Sequence, residues 1–446
     1  MEDLLAGRLQ MAFSLGFHII FACIGMVMPF LMATAQWRYL RSGEQVYQDL
    51  AKAWAKGVAI FFAVGAVSGT VLSFELGTLW PEFMKHAGPI IGMPFSLEGT
   101  AFFIEAIALG VFLYGWDKVP KWVHFGSGVV VGIAGVASGV LVISVNAWMN
   151  SPTGFDWANG VATNIDPIAA MFNDAWFTQS LHMVLAAFVA TGFAIAGLHA
   201  LQLLRHPGNV FHQKALRIAM IFAAVGALLQ PLSGDLSAKD VAVRQPIKLA
   251  AMEAHFETEQ GADLIIGGIP NEETGTVDYA IHVPNALSFL AFGDFDAEVK
   301  GLNDFPKEEH PPVNVVHYAF QIMVGLGSLL ALIGLVFLFF RWRKPHLLSH
   351  QWWLRVLVMA LPMGFIALEA GWVVTEVGRQ PWIVYGIMKT ADALTPMPGL
   401  VYSFILTTML YIFLSFVVYW LMTRQIKMVN LNYPATTAPQ PLNPVA

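Results

Sequence analysis

Charge is what this chain has least of. Asp, Glu, Lys and Arg make up only 12% of its 446 residues, while 57% are hydrophobic, and mean hydropathy is +0.61. That balance excludes an ordinary soluble enzyme and a nucleic-acid-binding protein, and points to an integral membrane protein. Cysteine is nearly absent as well. The single Cys23 excludes an internal disulfide and a cysteine-based metal cluster, so any redox chemistry belongs to a bound cofactor. No internal repeat is visible.

Long apolar runs are what is present. Stretches free of Asp, Glu, Lys and Arg span 9–37, 57–74, 122–155, 175–204, 218–234, 310–340 and 393–423, each reaching or approaching the roughly 20 residues that cross a hydrocarbon core. Two further apolar stretches, about 89–116 and 351–377, have the length but contain carboxylates, giving nine expected helices. The first stretch is about twice as long as a signal-peptide core and lacks a small-residue cleavage site, so it reads as a helix. The fold class expected is an all-α membrane protein.

Fifteen of the 24 Lys and Arg residues fall in the connections after spans one, three, five and seven and in the C-terminal tail. The positive-inside rule then places the N-terminus outside and the C-terminus in the cytoplasm. Helices one to six fill 1–233. Residues 234–312 form a polar extracytoplasmic segment that holds 15 of the 30 acids, and helices seven to nine fill 313–429. Residues 430–446, rich in Pro, Ala and Thr, read as a disordered tail. Within the outer segment "PIKLAAMEAHFET" (246–258) reads as a proline-opened helix, and "LIIGGIP" and "VDYAIHV" around "NEETGT" read as a hairpin.

Ionisable groups inside membrane helices are costly and mark functional positions by default. The census is His18, Glu98, Glu105, Ser138, Asn146, His182, Met323, Glu369 and Glu376. His18, His182, Met323 and Glu376 all fall in the outer half by helical rise. Two His, one Met and one Glu at similar depth suit heme iron, although each taken singly also suits packing or a backbone hydrogen bond. Glu98 and Glu105, seven apart, share a helix face; they suit a proton relay or a structural hydrogen bond.

Five stretches carry a family resemblance: "FHIIFA" at His18, "SLEGTAFFIEA" with "YGWDK", "VNAWMNSP", "KLAAMEA", and "ALEAGWVVTEVGRQPW". Together they resemble subunit I of the cytochrome bd-type quinol oxidases, bacterial inner-membrane enzymes, along all nine helices. The resemblance implies that His182 and Met323 are axial ligands of a low-spin heme b. It makes His18 and Glu376 the ligands of two high-spin hemes, one heme d and one heme b, or a third heme b in place of heme d. Trp372 would lie among the hemes, with Arg379 stabilising a carboxylate or propionate. Glu98, Glu105 and Ser138 would form the proton path, and Lys248 and Glu253 would contact quinol. A second membrane subunit, with a small single-helix subunit beside it, is implied as partner.

Two departures stand out. Gln321 occupies the place of an arginine found in many members, and only about 20 residues separate "ALSFLAF" from "VNVVHYAF", which resembles the short-loop branch. Two other readings compete: a membrane b-type cytochrome that only passes electrons, and a secondary transporter with midplane carboxylates.

Overall fold

The computed structural model describes residues 2–158 and 160–433. Among them nine helical segments are long and apolar enough to cross a membrane. They comprise α1 (Asp3–Ser42), α2 (Gln45–Leu79), α3 (Pro81–Tyr114), α4 (Lys121–Asn150), α5 (Trp176–Arg205) and α6 (Val210–Arg244). A short helix, α7 (Pro246–Glu253), opens the outer segment. Then follow α8 (Val313–Arg343), the eighth span as α9 (Gln351–Ala360) and α10 (Met363–Val377), and α11 (Leu400–Asn432). Pro362 lies at the break between α9 and α10, where its ring cannot continue the backbone ladder.

Chain neighbours pair antiparallel, most extensively α5 with α6, α1 with α2 and α3 with α4. Small residues permit this closeness: a Cβ on Gly192 would sit 2.9 Å from the Ala223 backbone, and one on Gly364 would sit 2.5 Å from Ala190 Cα. The first and last spans are tied by a cap. Asp3 Oδ1 accepts from the Gly399 and Leu400 amides at 3.1 and 3.0 Å, satisfying orphan donors at the start of α11.

Near the other end a polar chain crosses four helices. The Trp54 indole donates to His199 Nε2 at 3.3 Å, His199 Nδ1 meets His212 Nδ1 at 2.9 Å, and His212 Nε2 meets Asn430 Oδ1 at 2.8 Å. An indole only donates, so His199 Nε2 accepts and each following ring nitrogen pair is set in turn. Both nitrogens of His199 are therefore used within the protein, a structural role.

Several helices outrun the apolar stretches that announced them. Helix α6 continues to Arg244, eleven residues past Ser233, and ion pairs Lys239–Asp235 (2.7 Å) and Arg244–Asp240 (2.5 Å) at i,i+4 spacing line that extension. Helix α7 is shorter than the 246–258 expected. It stops at Glu253 because Ala254 turns left-handed (φ 51°), with Ala254 N–H donating to Ala251 O and His255 N–H to Ala250 O, a Schellman closure.

The expected hairpin forms: β1 (Leu264–Ile266), β2 (Ile269–Asn271), β3 (Thr276–Asp278) and β4 (Ile281–Val283) pair antiparallel, β2 with β3 and β1 with β4. Of the tail, Asn430 to Asn432 complete α11, while 434–446 lie outside the described residues.

Candidate functional site

His18 on α1 and His182 on α5 are held alike. His18 Nδ1 lies 2.9 Å from Ser68 Oγ, and His182 Nδ1 lies 3.0 Å from Ser233 Oγ. Each serine hydroxyl donates to a backbone carbonyl one turn back, Ser68 to Val64 at 3.0 Å and Ser233 to Gln230 at 2.8 Å. With its single proton used there, each hydroxyl accepts from Nδ1–H, so both imidazoles carry their proton on Nδ1. Nε2 then keeps its lone pair, the state a metal ligand needs, with ring orientation set by the outer partner. At His182 the Gln230 amide nitrogen donates to that lone pair at 3.1 Å.

Three of the four candidate ligands also face a glycine. A Cβ on Gly69 would sit 3.0 Å from His18 Cε1, one on Gly234 3.6 Å from His182 Cε1, and one on Gly371 3.0 Å from Met323 Sδ. Glycine at these positions lets each side chain lie close against the neighbouring helix backbone. The donor set fits heme: two imidazoles with unprotonated Nε2 atoms, that of His182 accepting from the Gln230 amide, a thioether and a carboxylate. His182 and Met323 share no hydrogen bond; the first faces α6 and the second α10.

Glu376, at the outer end of α10, sits where three motifs converge. Asn146 Nδ2 donates to its Oε1, and Arg379 Nη2 donates to Oε2 at 2.7 Å. Asn150 Nδ2 donates to the Asn146 carbonyl at 2.9 Å, and Lys248 Nζ donates to Asn150 Oδ1 at 2.6 Å. Arg379 is only 2% exposed, yet its Nε and Nη1 have no protein partner; a buried guanidinium with two spare donors suits a second carboxylate. An isolated interfacial ion pair would have none of these neighbours.

Lys248 and Glu253 of α7 are buried, at 4% and 3% exposure, so they do not form a solvated face. They point apart, Lys248 toward Asn150 and Glu253 into a site where its Oε2 is unpartnered. Burial pulls the Lys248 ammonium down to about 7, with Arg379 adding to the fall and Glu376 opposing it. Burial alone pushes the Glu253 carboxyl up to about 8.

On α3, Glu98 accepts from Ser138 Oγ at 2.9 Å, and Glu105 is buried beside Gly135. Trp372 packs against a buried cluster that includes Ile19 and Cys23 of α1, Ala187 and Ala190 of α5 and Leu368 of α10. Glu369 lies against Gly16, its Oε1 unpartnered.

One buried acid escaped the census. Glu75, 4% exposed, accepts from Gln10 at 2.8 Å and Ser14 at 2.9 Å. It stands one residue beyond the charge-free run 57–74, and only the α1 contacts reveal it as internal.

Comparison with known proteins agrees with this architecture. The family model described as cytochrome bd terminal oxidase subunit I matches residues 6–429. A Bacillus subtilis (strain 168) protein named cytochrome bd ubiquinol oxidase subunit 1 is 32% identical over 442 residues, covering 96% of this chain and 94% of its own length. Another from that organism, provisionally named a cytochrome bd menaquinol oxidase subunit I, is 37% identical over 419 residues, covering 92% of this chain and 94% of its own. The structure of bd oxidase from Geobacillus thermodenitrificans superposes with TM-score 0.90 at 39% identity, covering 96% of this chain and 99% of that one. With nine apolar helices among its described residues and a match along nearly its whole length, this bacterial membrane protein belongs to the cytochrome bd terminal oxidase subunit I family.

Proposed function

We propose that this chain oxidises quinol at its outer segment and reduces oxygen to water on hemes held near that face. The observation that carries the reading is the matched pair His18–Ser68 and His182–Ser233, each ring held at Nδ1 by a serine and lying against a glycine of the next helix. The overall reaction is two quinols and one O2 giving two quinones and two waters.

His182 and Met323 would hold a low-spin heme b; His18 and Glu376 would hold two high-spin hemes, a heme d and a heme b or two hemes b. When bound, these groups supply one-electron transfer and oxygen chemistry. The residues do the rest. Glu253, neutral below about pH 8, accepts a quinol proton as its carboxylate, and Lys248 orients the other end of the site through Asn150. Arg379 and Asn146 hold Glu376 oriented by hydrogen bonds to its two oxygens. Glu105 and the Glu98–Ser138 pair pass protons from the cytoplasmic side, and Trp372 excludes water between the helices.

The electron-only cytochrome is less well supported, since His199, the only other histidine on α5, spends both nitrogens on Trp54 and His212. A second membrane subunit completes the enzyme in this reading, a small single-helix subunit beside it. Oxygen uptake by purified enzyme supplied with ubiquinol or menaquinol analogues tests it. Uptake should require quinol and fall by about a hundredfold or more in Glu376→Ala; quinol-independent or undiminished uptake would refute it.

A further inference from the structure

Helix α8 carries a second polar pair, His317 and Gln321, one turn apart on the face away from Met323. His317 is fully buried. Its Nδ1 lies 2.9 Å from the Met252 carbonyl and its Nε2 3.2 Å from the Gly267 carbonyl. Gln321 continues the contact: its Oε1 accepts from Gly267 N–H at 3.1 Å, and its Nε2 donates to Ile265 O at 3.0 Å. Gln321 thus grips residues 265–267 at the end of β1 from both donor and acceptor sides, and the His317 ring lies between the Met252 and Gly267 carbonyls, its one N–H as a neutral imidazole serving one of them at a time.

The Met252 contact reaches a different part of the outer segment. Met252 sits in the last turn of α7, where carbonyls have no intrahelical partner, and the Schellman closure uses those of Ala250 and Ala251. His317 Nδ1 lies 2.9 Å from the next one, within reach to satisfy it as the Nδ1–H tautomer. Glu253, the residue after it, has its backbone direction set there.

We infer that His317 and Gln321 are positioning residues for quinol oxidation: they lock the hairpin and the Glu253 end of α7 onto the helix that carries Met323. Electron donor and candidate acceptor are then indexed to opposite faces of one rigid rod. A carboxamide suits this task because it accepts and donates at once; a donor-only side chain cannot take the Gly267 N–H. The inference rests on quinol reacting at Glu253, as proposed above, but the lock itself is a statement about backbone contacts and is measured separately.

The test is a comparison of the whole enzyme with Gln321→Met and His317→Gln, by amide hydrogen exchange over residues 264–268 and by quinol-dependent oxygen uptake. Gln321→Met should speed exchange in that segment about tenfold, the effect of losing hydrogen bonds of ordinary strength. It should also raise the quinol KM about three- to tenfold with kcat within about twofold. His317→Gln, which keeps a donor toward Met252, should show a smaller KM change. Unchanged exchange in Gln321→Met would overturn the lock. Faster exchange with unchanged KM and kcat would overturn the positioning role, leaving a merely structural contact. If the unmodified enzyme oxidises no quinol while exchange still responds, the functional reading fails and the lock stands.

Discussion

The serine hydroxyls decide what the histidines can do. Ser233→Ala removes the acceptor of His182 Nδ1–H and frees the ring to rotate or change tautomer. Loss of an outer-shell partner typically costs ten- to a hundredfold in metal affinity; Ser233→Ala and Ser68→Ala should each lower heme content after purification, read as the heme-to-protein absorbance ratio. Unchanged ratios in both would show that the serines do not orient ligands. At Glu253 the sign of the pH response follows from its raised value. Below about pH 8 the carboxyl is neutral and cannot accept a proton, so quinol kcat/KM should rise as pH approaches 8. Glu253→Gln should lose that rising limb and retain little activity; a variant that keeps the limb would assign it to another group. For stability the direction is opposite. A carboxyl whose folded value is raised stabilises most fully below its unfolded value, near 4.5, and this contribution fades as pH rises to about 8.

Elements were more legible than their ends. The nine helices follow from runs without charge, because a buried backbone in lipid must be helical and must exclude ions. Their extensions were not legible. The outer turns of α6 are held by i,i+4 ion pairs in a segment that reads as polar loop, and α7 ends on a left-handed alanine that has no composition signal. The sites divide the same way. Glu98, Ser138 and Glu376 are marked as costly polar residues in apolar runs and Arg379 by the resemblance; Glu98 meets Ser138 and Glu376 meets Arg379 in space. The partners Ser68, Ser233 and Asn150, and the acid Glu75, depend on contacts between helices that no local spacing encodes. Helix closeness makes its own prediction. A methyl on Gly364 would meet Ala190 Cα at 2.5 Å, so α10 and α5 must separate. Gly364→Ala should destabilise the enzyme by about 1–3 kcal/mol, read as a lowered Tm in detergent; an unchanged Tm would mean the two helices can shift freely.

For the whole molecule, orientation rests on 15 of 24 basic residues lying on one side. The only cysteine, Cys23, is fully buried, so labelling has a silent background. In intact cells an impermeant maleimide should modify Tyr279→Cys, whose side chain is 91% exposed on the hairpin. It should modify Lys118→Cys only after permeabilisation, and the reverse pattern would invert the topology. Orientation matters because, in the proposed function, the outer segment and the candidate ligands His18, His182, Met323 and Glu376 must share the outer half, with Glu105 toward the cytoplasm, for charge to separate across the bilayer.

The most direct test of the central claim is a reduced-minus-oxidised absorbance spectrum of the purified enzyme beside His182→Ala and Met323→Ala. The arrangement of α5, α6, α8 and α10 predicts a low-spin heme b band in the unmodified enzyme that both substitutions abolish, with high-spin absorbance retained. A colourless protein, or a low-spin band that survives His182→Ala, would contradict it.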